Sequence, residues 1–440
     1  MDCITLAAFR ENLYGCFLQA GDTLLNLIDA LATETPAKSL PELSLSPCFQ
    51  RGWGSLYQGL QNARIDRSAL RRLFAAHAPQ PTEGKRLVLG IDASSILRPC
   101  SKTAADRTYV HASNLPEGSK PVAAGWQFST LTVLPETPSS WTYVLDNTRV
   151  TSEQTQAQTA AEQLAALLPL LPERPLLLGD GYYGSVTFLQ AMIDLPCDCL
   201  LRLAKNRVLY RPAPPPPVKR GRGILKKDGA EFACHRPDTH GTPDASWQGT
   251  DAGGQEVCVS VWHRLHWKKA RSLEVSVIRV ERPYAQDTER DPRTSWFVFR
   301  GQSLPPLADI VLLYRRRYSQ EHGYRADKQT LLWATPRLRT PEQFQVWTDL
   351  VAATRNLLFL ARPLANVARQ PWESRLRELT LAQVRRAMGR ILGKLPSLTR
   401  PVQLRGKSPG RQTGTKVAKA TRYKVIFKAT QKPKTRAKKV

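Results

Sequence analysis

The chain has 440 residues, of which 64 are Lys or Arg and 37 are Asp or Glu, so its formal net charge is +27. A positive excess of this size favours a polyanionic partner such as nucleic acid. With 42% hydrophobic and 23% charged residues, the composition is that of a globular protein. It excludes global disorder and allows two or three domains.

The positive charge is concentrated at the C-terminus. The last acidic residue is Glu378, and residues 381–440 contain 18 Lys or Arg and no Asp or Glu, which leaves +9 for the rest of the chain. Residues 396–440 are also rich in Gly, Pro and Lys. We therefore expect a basic, extended tail that neutralises DNA phosphates.

A membrane surface is the competing polyanionic partner, but the sequence gives it little support. No uninterrupted apolar run approaches the ~20 residues that a membrane span needs. The N-terminal Met1-Asp2-Cys3-Ile4 has no basic region of the kind that opens a secretory signal, and the eight cysteines include no C-x-x-C pair. We expect a cytoplasmic protein with reduced thiols and no membrane partner.

The first 80 residues have the pattern of a helical domain. Apolar residues such as Leu13, Phe17, Leu24 and Ile28 recur at helical spacing up to about residue 76. The stretch Ala78-Pro79-Gln80-Pro81 then indicates a linker.

Residues 84–206 alternate between strand and helix patterns. Short apolar runs at 86–92 and 175–180 are typical of strands buried on both faces, and further strands are predicted at 122–135, 141–150 and 199–203. Helices are predicted at 152–171 and 185–193. The alternation indicates an α/β sheet domain whose early strands pair as a meander.

The second half of the chain changes pattern twice. Residues 207–303 contain a proline run at 212–217 and strand patterns at 256–262, 272–280 and 295–299, which indicates a β-rich insertion. Residues 304–335 return to a helical pattern, with a helix predicted at 309–332 that completes the α/β domain. Two C-terminal helices are predicted within 336–395, at 341–360 and 372–392.

Two acids end the buried strands. Asp92 and Asp180 each follow an apolar strand and a glycine, so both carboxylates can be fixed at a crevice beside the sheet. A lone carboxylate at such a place is usually a capping or ion-paired residue. A third acid is needed for a catalytic site.

Glu321 is the candidate for this third acid because of its neighbours. Tyr314, Arg317, Glu321 and Lys328 share a stripe about 60° wide on a regular helix, with Arg325 at its margin. The alternative is a solvated helix face with an Arg317–Glu321 ion pair.

Three segments together resemble the DDE transposases of bacterial insertion sequences, specifically the insertion-sequence 4 group. They are Gly90-Ile91-Asp92-Ala93-Ser94, Gly179-Asp180-Gly181-Tyr182-Tyr183 and the helix with spacing Y-x2-R-x3-E-x6-K. The tail, with Arg405-Gly406-Lys407-Ser408-Pro409-Gly410-Arg411 and Arg422-Tyr423-Lys424-Val425, is similar to the insertion-sequence 701 type. The resemblance is strongest over residues 87–332.

The resemblance implies an α/β fold of the ribonuclease-H-like, retroviral-integrase type, with a β insertion between the second Asp and the Glu. It implies that Asp92, Asp180 and Glu321 are catalytic and bind two Mg²⁺ ions, with Mn²⁺ as an alternative; hard cations prefer such oxygen ligands. Tyr314, Arg317, Arg325 and Lys328 would contact DNA phosphates. The implied partners are double-stranded DNA, as transposon ends and target, and a second copy of the chain in a synaptic dimer.

The resemblance implies further DNA contacts, and for each of them the sequence leaves a second role open. Trp296 stands where a tryptophan of the group stacks on a flipped base, or it packs the core of the insertion. The basic segment with Lys219, Arg220 and Arg222 enters a minor groove, or it is a solvated linker. Four arginines of the N-terminal helices contact the inverted repeats, or they face solvent: Arg64, Arg67, Arg71 and Arg72.

Three functions stay open on the sequence. The first is a cut-and-paste transposase that binds terminal inverted repeats, cleaves DNA and joins strands. The second is a ribonuclease-H-like nuclease without strand transfer, against which the Tyr–Arg–Glu–Lys helix argues. The third is a DNA-binding protein with a retired active site, against which the presence of all three acids argues.

Overall fold

The computed structural model describes residues 2–112, 121–215, 226–251, 253–288, 292–374, 377–403, 410–416 and 418–428. The N-terminal region holds the helices α1 (Cys3–Gly15), α2 (Gly21–Thr33), α3 (Leu40–Leu43), α4 (Trp53–Asn62) and α5 (Arg67–Ala76). Two short strands, β1 (Phe17–Gln19) and β2 (Arg64–Ile65), pair beside them. The apolar side chains of these helices join those of the main sheet in one continuous core.

A mixed sheet of twelve strands forms the centre of the molecule. Its first six strands are β3 (Val88–Leu97), β4 (Thr108–His111), β5 (Val122–Val133), β6 (Tyr143–Val150), β7 (Leu176–Gly179) and β8 (Asp198–Leu203). Strands β3, β5 and β6 pair as the predicted antiparallel meander. Strand β7 is parallel to both β3 and β8. The mixed α/β class is confirmed, and this order is consistent with a ribonuclease-H-like domain.

The β-rich insertion extends the same sheet. Its strands are β9 (Val208–Tyr210), β10 (Glu231–Ala233), β11 (Ala245–Thr250), β12 (Glu256–Trp267), β13 (Ala270–Glu281) and β14 (Thr294–Arg300). Strand β14 pairs antiparallel with β8, with Phe297 opposite Arg202. The backbone hydrogen bonds therefore run from the acid-bearing strands into the insertion without a break.

Two further helices connect consecutive strands of the α/β domain: one joins β6 to β7 and the other joins β7 to β8. Helix α6 (Gln156–Leu167) begins at a capping box formed by Thr155 and Gln158, and α7 (Val186–Ala191) begins at Ser185, whose hydroxyl accepts the Phe188 N–H. Serine and threonine at these positions satisfy backbone N–H groups that the first turn leaves free.

The predicted helix at 309–332 is broken in two. Helix α8 (Ile310–Arg315) and helix α9 (Tyr318–Gln329) are joined by a tight turn in which the N–H groups of Arg316 and Arg317 bond carbonyls three residues back. Arg316 is buried here, and its guanidinium donates to the carbonyls of Leu134 and Pro135. These bonds tie the turn between the two helices to the loop after β5.

The C-terminal helices cover the sheet. Helix α10 (Pro341–Ala361) is buried along most of its length and contacts β6, α2 and helix α11 (Leu381–Leu392). The prediction of a helix from residue 372 is wrong at its start, because Thr380 caps α11 with Gln383. Among the described residues, no helix is both long and apolar enough to cross a membrane.

Part of the predicted extended tail is held against the sheet. Ile426 forms a parallel bridge with Thr108 in β4, and its N–H donates to the carbonyl of Arg107 at 2.7 Å. The Phe427 ring lies 4.6 Å from the Tyr109 ring. Lys428 donates to the carbonyl of Gln154 at 2.8 Å.

Candidate active site

The register of the sheet places Asp92 and Asp180 side by side. Strands β3 and β7 are parallel, and Ile91 lies opposite Gly179. Each of these two residues is followed by an Asp, so the two carboxylates lie side by side. Asp180 comes just after the end of β7, but Asp92 lies within β3, which continues to Leu97 past the strand end predicted at residue 92. The strands before them, with Leu89, Ile91, Leu177 and Leu178, are fully buried, which fixes their position.

Glycine before each acid allows close packing. A Cβ on Gly90 would lie 2.6 Å from Oε1 of Gln320 and 2.8 Å from a methyl of Leu134. Gln320 belongs to α9 and donates to the carbonyl of Thr130 at 2.9 Å. The missing side chain at Gly90 therefore lets α9 approach the acid-bearing strand.

The turn after Asp180 is held by its own carboxylate. Oδ1 of Asp180 accepts the Tyr182 N–H at 2.9 Å, and the Asp180 carbonyl accepts the N–H groups of Tyr183 and Gly184. Tyr183 is fully buried, and its hydroxyl accepts a hydrogen bond from Gln156. Asp180 is thereby fixed at the end of β7.

Glu321 lies in the first turn of α9, across from these acids, and Arg317 lies between them. Nη2 of Arg317 donates to Oε1 of Glu321 at 3.0 Å, and Nη1 of Arg317 is 3.8 Å from Oδ2 of Asp92. Tyr324, one turn further along α9, donates to the Asp92 carbonyl at 3.0 Å. One guanidinium thus connects two of the three predicted acids.

The electrostatics of Asp92 reflect the neighbouring acids. The pKa of Asp92 is raised to about 7: burial is the largest cause, Arg317 opposes it, and the carboxylates of Asp180 and Glu321 add to it. A buried carboxyl close to two others favours its protonated form unless a cation is near. The three acids therefore act on one another, as members of one site do.

Residues 12–269, more than half of the chain, match the family described as DDE superfamily endonuclease. The protein is a member of this family. The matched residues include Asp92 and Asp180, and Glu321 lies beyond them.

No curated protein matches the chain. Seven chains of solved structures match it. One is the piggyBac transposase in a synaptic complex with hairpin DNA, at 12% sequence identity and a TM-score of 0.41, over 91% of this chain and 78% of that chain.

Membership of the DDE endonucleases implies divalent metal ions, and the donor chemistry of the site fits them. The donors are carboxylate oxygens, which divalent ions such as Mg²⁺ and Mn²⁺ prefer. As placed, however, the described residues include no group of three or more His, Cys, Asp or Glu close enough to hold one ion. Arg317, between Asp92 and Glu321, occupies the intervening space.

The other predicted residues of this endonuclease lie around the acids in different ways. Tyr314 donates to the Gly179 carbonyl at 3.3 Å, beside Asp180. Lys328 donates to the Ser95 carbonyl at 3.1 Å, and burial lowers its pKa. Arg325 is exposed. Because the turn at Arg316 interrupts the helix, the four signature residues do not form the single straight stripe that their spacing predicts.

Trp296 lies in an aromatic cluster of the insertion. It is 4% exposed and contacts the rings of Phe232, His240 and Trp262. This is the packing role that the sequence left open as the alternative. The same side chain also borders a cavity of about 800 Å³.

Two further groups are predicted to contact DNA: the basic segment after the proline run and the arginines of the N-terminal region. Lys219, Arg220 and Arg222 lie outside the described residues. Arg67 and Arg71 both form ion pairs with Asp146, and Arg67 also pairs with Asp349. These two arginines hold α5 on β6 and α10, so the expectation that they contact DNA is not supported by their placement; Arg64 and Arg72 are exposed.

Sequence reasoning missed two arginines near the site. Arg202 in β8 and Arg282 after β13 border a cavity of about 370 Å³ that also contains Asp180, Tyr314 and Arg317. They are 80 residues apart in sequence, and the pairing of β14 with both β8 and β13 brings them to the same cavity. No motif pointed to them.

Proposed function

We propose that the protein is an insertion-sequence transposase. It binds the terminal inverted repeats of its element and catalyses metal-dependent DNA cleavage and strand transfer in cut-and-paste transposition. The observation that supports the proposal is the side-by-side placement of Asp92 and Asp180 on parallel strands of a DDE endonuclease, with Arg317 in contact with both Asp92 and Glu321. The net charge of +27 suits a DNA substrate.

The side chains have distinct roles in this proposal. Asp92 within β3, Asp180 just after the neighbouring β7, and the exposed Glu321 in the first turn of α9 would hold Mg²⁺ or Mn²⁺. When bound, the metal supplies Lewis-acid stabilisation of the charge that develops on the reacting phosphate. Arg317 moves from the carboxylates to the DNA phosphate as the site fills, because Arg binds a phosphate with two donors. Tyr314 stays bonded to the backbone beside Asp180 and orients the strand.

Finer assignments belong to the same proposal. The insertion-sequence 4 group and the 701 type are supported by the spacing of Tyr314, Arg317, Glu321 and Lys328 and by the basic tail. The proposal includes a dimer that pairs two element ends, as the cut-and-paste reaction requires, and a cytoplasmic location. Exposed Arg325 and the segment with Lys219, Arg220 and Arg222 supply further phosphate contacts.

The role of Trp296 in hairpin formation needs a test that separates it from packing. Trp296→Ala removes a buried ring, so a loss of stability of about 3–5 kcal/mol is expected from packing alone. Trp296→Phe keeps most of the packing. Slower hairpin formation in Trp296→Phe, at unchanged melting temperature and with the first nick spared, supports base stacking.

The transposase proposal is tested on a duplex that carries the inverted repeat found beside the reading frame. Asp92→Asn, Asp180→Asn and Glu321→Gln are each expected to abolish Mg²⁺-dependent cleavage and to leave DNA binding largely intact. Glu83→Gln, which changes an exposed acid outside the site, is the control. If any one variant retains cleavage, its residue does not belong to the catalytic site. If the native chain cleaves DNA but does not join strands, the protein is a nuclease without strand transfer.

A further inference from the structure

A cavity of about 370 Å³ lies between strand β14 and helices α8 and α9, next to the acids. Its charged lining residues within the described chain are Asp180 and four arginines: Arg202, Arg282, Arg315 and Arg317. Phe297, Tyr314 and Tyr318 form aromatic walls. The cavity is open to solvent and is continuous with the side of the site that Asp180 faces.

The four arginines differ in their partners. Arg315 is bound to Asp251 at 2.5 Å, and Arg317 is bound to Glu321. In the part of the chain that the structure describes, neither Arg202 nor Arg282 forms an ion pair. The Arg202 guanidinium lies 5.3 Å from the centroid of the Phe297 ring, and Nε of Arg282 is buried with no hydrogen-bond acceptor.

The positive charges in this cavity act on one another. Burial lowers the pKa of Arg202, the hydroxyls of Tyr314 and Tyr318 oppose this, and the charges of Arg282 and Arg317 lower it further. A buried guanidinium N–H without an acceptor, such as Nε of Arg282, is costly. An anion between Arg202 and Arg282 would supply this acceptor and offset the repulsion between the two charges.

We propose that Arg202 and Arg282 form a subsite for a backbone phosphate of the DNA strand that enters the active site. The proposal rests on the proposed function for the identity of the ligand. Because Asp180 and Arg317 border the same cavity, the phosphate bound here lies close to the bond that is cleaved. The two arginines position the strand and take no part in the bond-breaking step.

Binding of a labelled 30-base-pair DNA duplex in EDTA tests the subsite without cleavage. We expect Arg202→Gln and Arg282→Gln each to weaken binding about tenfold, as loss of a charge-assisted contact does. Each variant should also reduce the slope of log affinity against log salt by about 0.9. Arg264→Gln, which changes an exposed arginine of β12 that does not border the cavity, is the matched control.

Thermal melting of the DNA-free chain supplies the second measurement. Both variants should melt at or above the native temperature, because each removes one of two repelling charges. A fall in melting temperature with unchanged DNA affinity and salt slope shows that the arginines only support the fold and overturns the proposal. If a variant fails to fold, Arg202→Lys, which keeps the charge and loses the paired donors, must bind DNA more weakly than the native chain for the proposal to stand.

The source of the phosphate is tested with inorganic pyrophosphate. If pyrophosphate raises the melting temperature of the native chain but not that of either variant, while all three chains bind DNA equally well, the site binds free phosphates and the assignment to DNA is overturned. If the native chain does not join element ends but both variants still weaken duplex binding, the proposed transposase function is refuted and the phosphate subsite stands. Native cleavage and joining, with equal duplex binding by native and variant chains, would refute the subsite alone.

Discussion

Arg355 and Asp327 form a buried ion pair that ties the glutamate-bearing helix α9 to α10. Nη1 of Arg355 lies 2.8 Å from Oδ2 of Asp327, and the two side chains are 2% and 6% exposed. The Arg355 guanidinium also donates to the carbonyls of Ser140 and Thr142. A Cβ on Gly323 would lie 2.5 Å from Nη2 of Arg355, so α9 can pass this guanidinium only at a glycine.

Arg355→Gln should destabilise the protein by about 3–5 kcal/mol, because it leaves the Asp327 carboxylate buried without a countercharge. The free energy of unfolding from urea titrations measures the loss. Arg339→Gln changes an exposed arginine just before α10 and should alter stability by less than about 0.5 kcal/mol.

The outcome of this pair of variants also reports on the site. Since α9 carries Glu321, the Arg355→Gln protein that remains folded should cleave DNA more slowly than the Arg339→Gln protein. Equal stability in the two variants would show that the ion pair does not hold α9 in place.

Gly184→Ala should disrupt the turn that fixes Asp180. The added Cβ would lie 1.9 Å from the Arg202 carbonyl oxygen, which belongs to the backbone of a buried strand and cannot move aside. We expect a loss of stability of about 1–3 kcal/mol or more. Thermal and urea denaturation measure it.

Gly181→Ala is the matched control in the same turn. Its Cβ would meet its nearest atoms at 4.0 Å, an ordinary contact, so the substitution should be nearly neutral for stability. A similar loss in both variants would mean that the turn tolerates no side chain for a reason other than contact with β8.

The sequence predicts the local parts of the site and misses the long-range parts. Asp92 and Asp180 could be predicted because an apolar run with a glycine shortly before an acid is visible in the chain at both places. The strand end predicted at Asp92 is wrong, because β3 pairs with β5 as far as Leu97. The mixed α/β class follows from the alternation of strand and helix patterns. Both depend on neighbours in sequence.

The remaining features depend on contacts between distant residues. At the turn between α8 and α9, Arg316 bonds carbonyls of the loop after β5, and helical periodicity does not contain that information. The ion pairs of Arg67 and Arg71 and the approach of Arg202 to Arg282 depend equally on tertiary packing. The resemblance that assigned Arg67 and Arg71 to DNA could therefore not show that they form ion pairs with Asp146 and Asp349.

The pH dependence of stability should change in Asp92→Asn. Because the pKa of Asp92 in the folded chain is about 7, above its ordinary value of 3.8, the folded state binds more protons than the unfolded state between these pH values. The contribution of Asp92 to the free energy of unfolding therefore falls as pH rises from about 4 to 7 and is constant above. At about 1.4 kcal/mol per pKa unit, the change is at most about 4 kcal/mol.

Melting temperatures at pH 5 and pH 8 in EDTA measure this effect. Asp92→Asn should melt higher than the native chain at pH 8, and by a smaller margin at pH 5. Mg²⁺ should raise the melting temperature of the native chain at pH 8 more than that of the variant, since a cation offsets the repulsion among the acids. If the melting temperatures of the native chain and the variant differ by the same amount at both pH values, the pKa of Asp92 is not elevated.

Two truncations should separate the charge of the tail from its packing. Residues 429–440 contain five Lys or Arg, so a chain that ends at Lys428 should lose up to about 4 units of the slope of log affinity against log salt, with its melting temperature unchanged. A chain that ends at residue 395 should also melt lower, because Leu398 packs against the core and the Arg400 N–H donates to Asp22. Fluorescence anisotropy with duplex DNA at several salt concentrations, together with thermal melting, gives both quantities. If the salt slope of the shorter truncation equals that of the full chain, the last twelve residues do not bind DNA phosphates.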